Sequence, residues 1–314
     1  MANSVNILLM YSTEAATTEH IERLKGLGKN IQVTVANSEK QALESASETE
    51  IILGHRYLWQ VLPYANSLQW IQSSAAGINH LLVPDLWKQK PLLTRTPIFS
   101  DVIAWHALAM ALSLLRGLPS YRSDIHSKNS QSQLIPANIP KVAMVFGLGK
   151  IGQELAKLLS SLGLKVIGID RMKLSVDSCH QVLNVSNWKN HLSEVDLLFL
   201  CAPLTRETEK IINADILERL PRQAMVINVA RGGLIDHGAL INYLEQGKLA
   251  GAGLDVWDTV TDEQKSKLHQ FSNVIRTPKI ASFCADRQAK FEQFVEAQVQ
   301  RYLKQEALLH VVDY

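Results

Sequence analysis

Gly147-Leu148-Gly149-Lys150-Ile151-Gly152 follows the apolar run Val142–Phe146 and opens a stretch of helical spacing, Gln153–Leu162. Strand, glycine turn and helix in that order make half of a phosphate-binding unit. The first glycine permits the tight turn, the second admits a pyrophosphate, and the third lets helix and strand approach closely. Free N–H groups and the positive dipole end of the helix then hold the phosphates. Glycine turns are common in α/β chains, so a second residue must discriminate. Asp170 ends the next strand, Lys165–Asp170, 18 residues after Gly152, where a carboxylate can accept from both ribose hydroxyls. Its charge favours NAD over a cofactor bearing a 2′-phosphate, while Arg171 and Lys173 beside it leave NADP open. The bland alternative is an ordinary turn followed by a solvated strand end.

The alternation continues in both directions. Downstream come strands Asp196–Ala202, Met225–Val229, Gly251–Val256 and Asn273–Arg276, with helices Ala214–Arg219 and Gly238–Glu245 between them. Upstream, Val5–Tyr11, Ile31–Val35, Glu50–Gly54, Leu68–Ser73 and Leu92–Thr96 read as strands, with helices around Ile21, Leu24 and Leu27 and over Gln41–Ala46. Strands alternating with helices imply parallel sheets with helical crossovers. An apolar helix from Val102 to Leu118 is long enough to bridge two domains and stops at Gly117–Pro119. Ser120–Pro140 is polar and irregular. Ala285–Leu303 reads as a last helix, expected to pack back on the first unit. The fold class is α/β, with two doubly wound parallel-sheet domains.

Composition narrows the function. The 314 residues suggest two domains, and 46% hydrophobic with 20% charged residues is enough to build cores. A net charge of +2 without a basic stripe argues against nucleic-acid partners. So does the dispersal of Trp59, Trp70, Trp87, Trp105, Trp188 and Trp257, which builds no stacking platform. No apolar run is long enough for a membrane span, and the start Met1-Ala2-Asn3-Ser4 lacks a secretory pattern. Cys179, Cys201 and Cys284 have no metal-ligand spacing. A cytoplasmic protein without a metal is expected. Ser73 and Ser74 lie in no hydrolase elbow.

With these residues in place, the chain resembles the D-isomer-specific 2-hydroxyacid dehydrogenases. Cys201-Ala202-Pro203-Leu204-Thr205 with Thr208 matches that family's strand end and PLTxxT turn. Asn228–Asp236 matches NxARGxxVD, Gly251–Val256 matches GAGLDV, and Asn273-Val274 with Thr277-Pro278 matches NVxxTPH up to its last letter. Ser74-Ala75-Ala76-Gly77-Ile78-Asn79 is similar to the substrate turn SAGVD. The resemblance implies a Rossmann domain over residues 105–282, inserted into a flavodoxin-like substrate domain of residues 1–104 and 283–314. It also implies an active site in the cleft between them, and a homodimer. In that scheme Gly147, Gly149, Lys150, Ile151, Gly152, Asp170, Ala202, Pro203, Thr208, Val229, Ala230 and Asp255 bind NAD, Asp255 through the nicotinamide carboxamide. Arg231 grips the carboxylate and carbonyl of a small 2-oxo or 2-hydroxy acid, a task suited to a planar, permanently charged fork. The N–H groups of Ala76 and Gly77 take the other carboxylate oxygen. The bland reading of Arg231 is a structural salt bridge.

The pattern breaks at the proton. Lys279 stands where the family has a histidine. Val260, fifth after Asp255, fills the slot of the glutamate that orients it, because residues 258–272 fit the usual spacing without a gap. Ketone reduction needs a hydride and a proton, and a positioned acid/base contributes about 10²–10⁴-fold. A lysine ammonium donates readily but, with a reference pKa of about 10.4, is a poor base at neutral pH. Alcohol oxidation would need the amine desolvated or set beside a like charge such as Arg231. Val260 removes an unhelpful carboxylate and adds desolvation, so a reductase far better than an oxidase is expected. The opposing reading is a catalytically impaired, NAD(H)-binding homologue with Lys279 facing water. Other candidates near the site are His106, Asp258, Asp262, Glu263, His55 and Arg56. The bland readings are a packed or helix-capping histidine for His106, a solvated loop for Asp258–Glu263, a surface or dimer role for His269, and small hydrophobes for Cys201 and Cys284.

Overall fold

The computed structural model describes residues 4–12, 15–78, 81, 82, 88, 90–119 and 139–313. Asn79, Trp87 and residues 120–138 of the polar stretch lie outside them. The chain forms two units, Met1–Ile98 with Cys284–Tyr314, and Phe99–Phe283. The division falls ahead of the long apolar helix, which belongs wholly to the second unit.

In the first unit, β1 (Val5–Met10), β2 (Ile31–Val35), β3 (Ile51–Gly54), β4 (Trp70–Gln72) and β5 (Leu92–Thr94) form a parallel sheet of order β2-β1-β3-β4-β5. Helices α1 (Thr18–Gly26), α2 (Glu39–Glu44) and α3 (Leu58–Val61) connect its strands. Strand side chains alternate between faces. Leu8 and Met10 therefore join one core with Ala42, Leu58 and Leu93, while Ile7 and Leu9 join another with Trp70, Val295 and Val299.

In the second unit, β6 (Val142–Phe146), β7 (Lys165–Ile169), β8 (Gln181–Leu183), β9 (Leu197–Leu200), β10 (Met225–Asn228), β11 (Gly251–Leu254) and β12 (Val274–Arg276) run parallel in the order β12-β11-β10-β9-β6-β7-β8. Every residue of β6, β9, β10 and β11 is buried, as both-sided helical cover requires. One face is covered by α4 (Ser100–Leu115) and α5 (Lys150–Ser161). Gly152, Leu155, Ala156 and Leu159 make the buried stripe of α5, three and four residues apart. The other face, met by α6 (Ala214–Arg219) and α7 (His237–Glu245), holds Trp188, Leu198, Leu200 and Leu240. Each such side chain contributes about 1.5–3 kcal/mol by burial.

The sequence reading passes over three elements, of which α3 is a single turn of four residues. β8 is three residues at the sheet edge, too short to show alternation. α8 (Asp262–Gln270) replaces the expected loop, so Asp262 and Glu263 are fixed in a helical first turn. The Thr261 hydroxyl accepts from the Gln264 N–H while the Gln264 side chain accepts from the Thr261 N–H, a capping box. Only Leu268 of this helix is buried, so the segment has no apolar stripe to read.

The last helix, α9 (Arg287–Leu303), does pack on the first unit. Phe291 meets the edge of Tyr11, and Tyr302 stacks on Trp70. Glu292, 3% exposed, accepts from the Thr17 N–H (2.9 Å), the Thr17 hydroxyl (2.8 Å) and Gln288 (3.1 Å). Burial opposes its ionisation, but the Thr17 and Gln288 donors with His20 prevail and hold the carboxyl below its ordinary value. The stability it confers is present above the unfolded value of about 4.3 and lost as pH falls through the lowered folded value. Glu292→Gln is expected to cost about 1–3 kcal/mol at pH 7. In urea unfolding the gap from wild type should close as pH drops below about 4.

Candidate active site

Strand order reverses beside β6, and the crevice beyond strand ends at such a reversal is where α/β sheets bind ligands. Gly147 leaves β6 at φ +99°, and a Cβ there would stand 2.6 Å from the Ala202 backbone. A Cβ on Gly152 would run into the Gly147 carbonyl oxygen. Gly149 differs, since nothing lies within 4 Å of its Cβ position. It is the N-cap of α5 and supplies no side-chain acceptor to the helix amides, with exposed Lys150 and half-buried Ile151 following. Open space in front of a helix N-terminus without a side-chain cap fits a phosphate group.

Asp170, next to the end of β7, accepts from the Leu148 N–H (3.0 Å) with one oxygen, and from the N–H groups of Met172 (2.9 Å) and Lys173 (3.0 Å) with the other. Partial burial opposes its charge, yet these three donors and Lys173 outweigh it and hold the carboxyl below its ordinary value. A fixed anion fits ribose hydroxyls. On the far side of the loop, Pro203 is tied into its turn by Thr208, whose hydroxyl donates to the Pro203 carbonyl (2.8 Å) and accepts from the Thr205 N–H (2.7 Å). Thr208 thus shapes the turn. These residues together fit a dinucleotide.

Beyond β10, the Asn228 side chain staples the strand end. Its oxygen accepts from the Ala230 N–H (3.0 Å) and its amide donates to the Arg231 carbonyl (2.9 Å), fixing buried Val229 and Ala230. The Arg231 guanidinium donates one N–H to the Ala230 carbonyl (2.7 Å) and forms no ion pair among the described residues. The structural salt bridge is therefore not seen there.

Asp255, 3% exposed, follows β11. One of its oxygens accepts from the Thr277 hydroxyl (2.7 Å) and the Ile280 N–H (2.9 Å), and the other from the Ala281 N–H (3.2 Å). His106 Nε2 on α4 lies 3.1 Å from the Thr277 oxygen and 3.6 Å from Asp255. The sequence motifs include Thr277 without hinting at this linkage.

Lys279 is exposed, adopts φ +57°, and its amine meets no acceptor among the described residues. Val260 is 6% exposed and belongs to the apolar core. The amine thus stands in water, and the desolvation expected from Val260 is not seen. Asp258 is exposed, with its carboxylate against Gly232, while His269 meets the Trp257 ring edge at 6.3 Å. Burial pushes the Cys201 thiol up to about 12, so it carries no thiolate. Cys284 is raised too, by burial and by Asp286.

In the first unit, the Ser73 hydroxyl accepts from the Ala75 N–H (3.1 Å) and lies 3.3 Å from His55 Nδ1. The N–H groups of Ala76 and Gly77 donate to nothing among the described residues. The Arg56 guanidinium lies over the Tyr57 ring. Among the described residues no His/Cys/Asp/Glu group is arranged to hold a metal, and no helix is long and apolar enough to cross a membrane.

Residues 108–281 match the family model "D-isomer specific 2-hydroxyacid dehydrogenase, NAD binding domain". The chain is 35% identical over 271 residues to a hydroxypyruvate reductase of Thermotoga maritima, covering 83% of this chain and 88% of that protein. It is 29% identical over 280 residues to a D-3-phosphoglycerate dehydrogenase of Synechocystis sp., covering 87% of this chain and about half (50%) of that longer protein. A family protein of known structure from Aeromonas salmonicida superposes with a TM-score of 0.84 at 26% identity, over 99% of both chains. The expected fold class, two doubly wound parallel-sheet α/β domains, is the one observed, and the NAD-binding domain is matched as such. The chain belongs to the D-isomer specific 2-hydroxyacid dehydrogenase family.

Proposed function

We propose that this chain reduces a small 2-oxo acid with NADH, with NADPH as the second choice because the Asp170 carboxylate repels a 2′-phosphate. The observation that carries this reading is Arg231: a half-buried guanidinium at a strand end, with no carboxylate partner among the described residues. Such a cation beside a dinucleotide crevice suits a substrate carboxylate and carbonyl. Bound nicotinamide supplies the hydride. Arg231 orients the acid and polarises its carbonyl, Asp255 faces the carboxamide, and the Lys279 ammonium gives the proton to the developing alkoxide. The amides of Ala76 and Gly77, without an acceptor among the described residues, suit a carboxylate oxygen. A homodimer in the cytoplasm is the proposed working form. The name of the Thermotoga relative makes hydroxypyruvate the first substrate to try, beside glyoxylate and pyruvate.

The second reading, an impaired NAD(H)-binding homologue, is favoured by one observation: the Lys279 amine is exposed and meets no acceptor among the described residues. Lys279→Met separates the two. For a reductase, kcat should fall by about 10²–10⁴-fold with NADH binding retained. Unchanged turnover would remove Lys279 from the mechanism. NADH binding by the wild type without oxidation by any 2-oxo acid would favour the binder.

A further inference from the structure

We infer that His106 is a positioning residue, holding the segment that carries Lys279 by way of Thr277 and Asp255. Its catalytic consequence rests on the reductase reading; its structural consequence does not.

The direction of the hydrogen bonds is set by the acceptor-only carboxylate. The Thr277 hydroxyl spends its proton on Asp255 at 2.7 Å, so at 3.1 Å it receives one from His106 Nε2. The imidazole therefore keeps its hydrogen on Nε2, also 3.6 Å from Asp255, while Nδ1 meets no partner among the described residues. A merely packed histidine would not need this polarity.

Asp255 in turn organises the residues after Thr277. Its carboxylate takes the N–H groups of Ile280 and Ala281, and its backbone carbonyl takes the Lys279 N–H at 2.9 Å. Trp257 Nε1 donates to the Thr277 carbonyl at 3.0 Å, and the Thr277 N–H donates to the Leu254 carbonyl at 3.0 Å. Lys279 sits within this wrapping at φ +57°, a conformation that a residue with a side chain adopts only where its surroundings hold it. Of the donors just named, all but one come from residues 257–281. The exception is His106, which ties the wrapped segment to α4. Losing it frees the Thr277 hydroxyl to turn from Asp255, and the segment loses this side-chain hydrogen bond to α4.

The test compares His106→Leu with His106→Gln, whose Nε2 can still donate to Thr277. In His106→Leu, amide hydrogen exchange at Ile280 and Ala281 should quicken at least about tenfold, with Ile227 of β10 unchanged. Its kcat should fall by about 10- to 100-fold with the KM for NADH within about twofold, and His106→Gln should stay within about threefold of wild type. Unchanged exchange in His106→Leu, or His106→Gln as impaired as His106→Leu, overturns the inference. If the wild type reduces no 2-oxo acid, the reductase reading falls and the exchange result alone decides the positioning. Should His106→Leu not fold, Thr277→Val removes the linking hydroxyl and carries the same expectations.

Discussion

Replacing Arg231 with Leu is expected to lower kcat/KM for a 2-oxo acid by about 10²–10⁴-fold while leaving NADH affinity near wild type. The guanidinium has used one N–H on the Ala230 carbonyl, and its others meet no acceptor among the described residues. Two charge-assisted hydrogen bonds to an acid are worth about 1.5–3 kcal/mol each, and about 1.4 kcal/mol is tenfold in rate. Because two Asn228 hydrogen bonds hold the Ala230–Arg231 turn beside the one from the guanidinium, the fold should tolerate the change. Arg231→Lys should recover only part of the loss, since a point charge cannot reproduce a planar fork. Steady-state kinetics with hydroxypyruvate, beside NADH titration, checks both. An equal loss in both measurements would mean that Arg231 supports the nucleotide domain and does not hold substrate.

Gly149 and Gly147 should fail in opposite ways. Gly149 adopts φ −66° and faces open space, so Gly149→Val should fold as the wild type does. Its side chain would fill the approach to the α5 amides, and NADH should bind at least about hundredfold more weakly, the worth of roughly two charge-assisted hydrogen bonds. Gly147→Val places a side chain at φ +99° and within 2.6 Å of the Ala202 backbone. It should lose about 3 kcal/mol or more of stability. Urea unfolding with NADH fluorescence titration on both variants separates the two effects. Equal urea midpoints and equal affinity loss in the pair would deny the distinct roles given to the glycines.

The parts of the molecule that announce themselves in sequence are those built from long-period patterns or from glycine. β6 and the Gly147–Gly152 turn are legible because a fully buried parallel strand must be continuously apolar, and because only glycine fits where Ala202 and the Gly147 carbonyl press. Asp170 is legible by its distance from that turn. α8 is not, because a helix that buries only Leu268 carries no stripe, and its one signal is the Thr261 and Gln264 cap. The surroundings of Lys279 are not legible either. Its exposure and left-handed backbone result from how Asp255 gathers the Thr277–Ala281 segment, and hydrogen bonds between residues 22–26 positions apart leave no local pattern. His106, 171 positions from Thr277, is further still from anything periodicity can show.

NADH titrated into the purified chain, followed by nucleotide fluorescence, tests the dinucleotide cradle most directly. Saturable binding of one equivalent per chain, lost in Gly149→Val, is the expected result. A linear response with no saturation, or the same isotherm for wild type and Gly149→Val, would contradict it.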